Sequence, residues 1–80
     1  MLQTLMSTEI TAMPEVSLTQ ASEIVSKDRS TVFRWVEDGL LPARRVGIRR
    51  DIYIDIDTLR RFSAQYGYRF DDALARQYAQ

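Results

Sequence analysis

At 80 residues with 45% apolar content, the chain is sized for one domain with a small core, and it leaves no room for an enzyme cleft of ordinary size. With no cysteine or histidine it excludes a disulfide framework, a thiolate nucleophile and the usual ligands of a structural zinc site, so no catalytic, cofactor-binding or metal residues are expected. Eleven basic residues balance eleven acidic ones, which argues against a protein that coats DNA through bulk charge.

Ahead of Pro14, the residues Leu2, Leu5, Met6, Ile10 and Met13 have roughly helical spacing, but Ser7, Thr8 and Glu9 can start a short helix or interrupt one. Residues 1–15 are read as a flexible N-terminal arm. This start has neither a basic lead nor a continuous apolar run, so no secretory signal or membrane span is expected and the protein is placed in the cytoplasm. A first helix begins at Ser17, which can cap it while Gln20 closes a capping box; Leu18, Ala21, Ser22 and Val25 then share one face. It runs only to about Ser26, because Ser26, Lys27 and Asp28 form a turn and Asp28 is a good N-cap for a second helix. That helix, residues 29–38, sets Val32, Trp35 and Val36 on an inward side and Arg29, Ser30, Phe33, Arg34 and Glu37 on the other. Gly39 stops it, and Pro42 cannot continue it.

Residues 43–55 read as a β-hairpin, with the β-formers Val46, Ile52 and Ile54 flanking Gly47, Ile48, Arg49 and Arg50. Arg44, Arg45, Arg49 and Arg50 stand without an acid between them, and Asp51 closes the run. Asp55 caps a third helix with Leu59, Phe62 and Tyr66 inward. Beyond Gly67, the spacing of Phe70, Leu74 and Tyr78 predicts a short amphipathic helix that needs tertiary packing. The expected architecture is mainly α with a small β-hairpin: three core helices and the hairpin in residues 16–66, and a C-terminal amphipathic tail in residues 67–80. Helix, tight turn, helix, basic hairpin and helix is the layout of a winged helix-turn-helix.

Charge is unevenly placed along this layout. Residues 1–28 hold one lysine against four acids, whereas residues 29–61 carry an excess of three positive charges, so the basic side lies on the second helix, the hairpin and the third helix.

Ser17, Ala21, Ser22, Val25, the run from Asp28 to Val36, Gly39-Leu40-Leu41-Pro42, the Gly47-Ile48-Arg49-Arg50 tip and Asp55-Ile56-Asp57-Thr58-Leu59 together resemble the excisionase/MerR-like superfamily, over about three-fifths of the chain. The resemblance implies phage or mobile-element excisionases, small transcription regulators and some terminase small subunits as relatives. It also implies an integrase or a terminase as a protein partner. Ser26 and Lys27 stand where such proteins commonly carry Gly and an apolar residue, and Ser22 takes a usual Ala position, so a looser or slightly rearranged turn is expected. Full-length MerR regulators continue into a long dimerisation helix, for which no counterpart is expected in these residues.

Each candidate contact has a plainer reading beside it. Arg29, Ser30 and Arg34 suit backbone contact, close approach and a guanine edge or phosphate respectively, or they form the solvated face of an amphipathic helix. Thr31 can bond a phosphate. Phe33 can touch a thymine methyl or pack against the hairpin, and Lys27 is a phosphate contact or an exposed charge. Arg49 and Arg50 at the hairpin tip, ahead of Arg44 and Arg45 at its base, are read as phosphate or minor-groove contacts, since four arginines exceed what protection of a strand edge requires. Arg60 and Arg61 are divided between DNA and solvent, and Trp35 belongs to the core.

The expected function is sequence-specific binding of double-stranded DNA without catalysis, as an excisionase-like architectural factor or small transcription regulator, with further copies on adjacent sites because one small module buries limited surface. The alternative is a terminase-small-subunit-like adaptor that recruits a protein through its C-terminal tail; a third reading is an antirepressor-like module that binds protein through the basic surface.

Overall fold

The computed structural model describes residues 14–79. Four helices, about half of these residues, pack with a three-stranded antiparallel sheet. The expected arm, apart from Pro14 and Glu15, lies outside the described residues. Glu15 itself opens strand β1 (Glu15–Ser17), which the sequence had not suggested.

β1 pairs with β3 (Asp51–Asp55), and β3 pairs on its other side with β2 (Arg44–Val46), so the hairpin is two strands of a sheet of order β1-β3-β2. Val16 faces Ile54 across β1 and β3, and both are fully buried. The period of two along β3 buries Ile52 and Ile54 while leaving Asp51 exposed.

Ser17 ends β1 and caps α1 (Leu18–Val25). Its hydroxyl accepts from the Gln20 amide at 3.2 Å, while the Gln20 side chain accepts from the Ser17 amide at 3.0 Å, which completes the expected capping box. Leu18, Ala21, Ser22 and Val25 are buried as expected, and Ile24 joins them. The turn to α2 (Arg29–Glu37) is closed, not loose. Ser26 adopts the left-handed conformation at φ 56°, its amide donates to Glu23, and the Lys27 amide donates to Ser22. The conformation a glycine would supply is thus taken by a serine. Asp28 holds the N-cap position without a side-chain hydrogen bond; its backbone carbonyl accepts from Thr31 and Val32 instead. The expected cap is therefore positional only.

On α2 the inward phase holds: Val32 and Trp35 are buried, Val36 is half-buried, and Arg29, Ser30, Phe33, Arg34 and Glu37 are exposed. Gly39 takes φ 78° past the helix end, and Leu41 returns to the core. Asp55 caps α3 (Ile56–Tyr66) by accepting from the amides of Asp57 and Thr58. Leu59 and Phe62 are buried, but Tyr66 is 47% exposed and corrects the expected inward face. It is the last residue of α3, and its ring packs on Phe62 at 4.7 Å from the solvent side. After Gly67 turns the chain, Tyr68 stacks on Trp35 at 4.8 Å.

α4 (Asp72–Tyr78) starts where Asp71 accepts from the Leu74 amide, and its Ala75 is buried. Phe70, Leu74 and Tyr78 are half-buried against the core, the Asp71 amide donates to the Ile24 carbonyl, and the Tyr78 hydroxyl donates to Glu23. The tail's apolar face is directed largely inside the molecule. No described helix is long and apolar enough to cross a membrane.

Candidate nucleic-acid interface

The two basic segments meet in space. An open cleft of about 570 Å³ separates the start of α2 from the β2–β3 hairpin and is lined by Leu18, Arg29, Ser30, Phe33, Arg49, Arg50, Asp51 and Ile52. Five of the ten expected contact residues therefore share one concavity. Its floor is apolar through Leu18 and Ile52, and its rim carries three guanidinium groups against the single carboxylate of Asp51.

Helix phase and turn geometry account for this placement. Arg29, Ser30 and Phe33 follow one another at spacings of one and three, so they share the side of α2 opposite Val32 and Trp35. Phe33 remains 42% exposed and lines the cleft, so its ring is accessible there. The Arg29 Nε donates to the Thr19 hydroxyl at 3.0 Å, which fixes the guanidinium at the cleft edge. At the hairpin, Gly47 at φ 78° and Arg50 at φ 57° close a four-residue tip, with the Arg50 amide donating to the Gly47 carbonyl at 3.1 Å.

The four hairpin arginines divide into two kinds. Arg44 reaches across the central strand to Glu15 with two hydrogen bonds of 3.0 and 2.5 Å, and this contact holds the Glu15 carboxyl below its usual value. Arg45 is paired with Glu37 of α2 at 2.5 Å. Among the described residues, Arg49 and Arg50 make no ion pair, nor do Arg29 and Arg34. The base of the hairpin is thus stitched to β1 and α2, while its tip and the exposed face of α2 keep their charge uncompensated by a carboxylate in contact. Uncompensated, exposed guanidinium groups are the ones able to exchange water and counterions for phosphate.

The remaining expected contacts lie elsewhere. Arg34 is exposed on α2 one turn beyond Ser30 and outside the cleft, Thr31 is half-buried, and Lys27 sits with its ammonium 5.0 Å above the Tyr68 ring. Arg60 is committed to Asp57 at 2.6 Å and lies near Phe70, whereas Arg61 borders a separate shallow groove with Leu40, Pro42 and Phe62. Sequence reasoning missed Leu18, Asp51 and Ile52 as parts of the cleft, and Thr19 as the partner that holds Arg29 at its edge. Leu18 and Ile52 read as core residues, and only the folded arrangement shows that one edge of each borders the concavity. Comparison of the chain with protein-family models, curated proteins and solved structures finds no match.

Proposed function

We propose that the chain is a winged helix-turn-helix protein of the excisionase/MerR-like kind that binds double-stranded DNA sequence-specifically and without catalysis. In this reading α2 enters the major groove and the hairpin is the wing on the adjoining backbone or minor groove. The observation that carries it is the division of the arginines: Arg44 and Arg45 are held in ion pairs, while Arg29, Arg49 and Arg50 face one cleft beside the exposed Ser30 and Phe33. An acidic protein surface would also meet these charges. The duplex is favoured because two basic elements in different secondary structures flank a concavity, as required to straddle one strand of the backbone.

An integrase, a terminase or further copies of the chain are proposed as its partners on DNA, since one module of this size offers limited specificity. The adaptor alternative has less surface to use, because Phe70, Leu74 and Tyr78 pack against the core.

Selection from a pool of random duplexes tests the proposal. It should enrich one sequence family bound at least about 10³-fold more tightly than unselected DNA. No enrichment, together with no measurable duplex affinity at low salt, would overturn it.

A further inference from the structure

The tip of the hairpin carries Ile48 completely exposed, between Gly47 and the pair Arg49 and Arg50. A single exposed apolar residue needs no explanation by itself. Here, however, the apex lies beside two arginines free of ion pairs among the described residues, and the tip is closed by Arg50 in a left-handed conformation that Gly or Asn would adopt at less cost. An arginine thus stands where the backbone disfavours it, two positions from an isoleucine fully in water. One ligand would give both residues a partner.

We infer that Ile48 is an apolar wedge that enters the minor groove and partly unstacks one base step, with Arg49 and Arg50 held against the groove walls. This rests on the DNA reading above and names the groove, the residue and the deformation. A projecting two-stranded ribbon with cationic flanks and an apolar apex matches the way side-chain wedges use a bent duplex: the arginines follow the negative potential of the groove, and the apex takes up the apolar faces of opened bases. A protein occupant fits the tip less well, because two adjacent guanidinium groups would have to leave water along with Ile48. The step read by the wedge is expected to be a flexible pyrimidine–purine step, where unstacking costs least.

The test uses the full chain and a selected duplex with 2-aminopurine placed in turn at each position of the site, together with donor and acceptor dyes at the two ends. The parent protein should raise 2-aminopurine emission at one step and shorten the end-to-end distance. Ile48→Ser should abolish both signals and weaken binding about tenfold, while Ile48→Leu keeps them. Because Ile48 makes no core contact, circular dichroism of the variants should match the parent. A parent that binds the duplex with no change in emission at any position, or an Ile48→Ser variant that keeps the change, overturns the wedge alone. A parent that binds no duplex overturns the DNA reading and the wedge with it.

Discussion

Trp35 meets Phe62 and Tyr68 at ring-centroid distances of 5.0 and 4.8 Å, and it is only 9% exposed. Removing it from so small a core leaves a void lined by two aromatic rings. Trp35→Ala should cost about 3–5 kcal/mol, a large part of the stability of a domain this size, and thermal or urea melts will measure it. A variant that melts like the parent but fails to bind DNA would place Trp35 on the recognition surface instead. Two other residues separate strain from function. Ser26 and Arg50 both hold positive φ, at 56° and 57°. Replacing either with glycine should relieve a backbone penalty and raise stability by up to about 1 kcal/mol. The pair should diverge in binding: Ser26→Gly leaves DNA affinity unchanged, whereas Arg50→Gly stabilises the fold and weakens binding. Equal affinity in the two variants would remove Arg50 from the interface.

The elements differ in how far the sequence exposes them. α1 and α3 are legible because Ser17 with Gln20, and Asp55, mark their starts, and α2 is legible because Val32, Trp35 and Val36 keep one phase. β1 is not legible, since three residues with one buried side chain carry no period that can be recognised; its existence depends on Val16 meeting Ile54, thirty-eight positions later. A separation of twenty-nine positions likewise hides the Glu15–Arg44 pair, which ties β1 to β2. Tyr66 departs from expectation for a different reason: it ends α3 with its ring on Phe62, and Tyr68 takes up the position against Trp35. Ala75 is buried where α4 meets the core, so Ala75→Glu should unfold α4 or destabilise the whole domain by more than about 2 kcal/mol in urea melts; parent-like stability would mean that the tail is an independent appendage. The Glu15 carboxyl is held below its ordinary value of 4.5, first by the Arg44 hydrogen bond, so folding favours its charged form. That contribution is present above pH 4.5 and is lost as pH falls through the lower folded value. Glu15→Gln should therefore melt slightly below the parent near neutral pH and converge with it in acid. The exposure of the pair keeps the difference small.

For the whole molecule, balanced net charge and a local excess of arginine define the kind of binding to expect. Eleven acids against eleven bases give little general attraction to a polyanion, so on the proposed DNA reading affinity comes from the few cations on α2 and at the hairpin tip. In that reading the arginines divide the labour: Arg34 on α2, outside the cleft, reads a base edge, while Arg49 and Arg50 hold phosphates or groove walls. Titrations of the parent, Arg34→Ala and the double variant Arg49→Ala/Arg50→Ala, on a selected and a random duplex across a salt series, test it most directly. Arg34→Ala should weaken binding by about 1–3 kcal/mol on the selected duplex and by much less on the random one. The double variant should weaken both duplexes alike and shallow the log–log salt slope by roughly 0.9 for each phosphate that is no longer neutralised. Parent-like affinity and slope in both variants would contradict this division of roles.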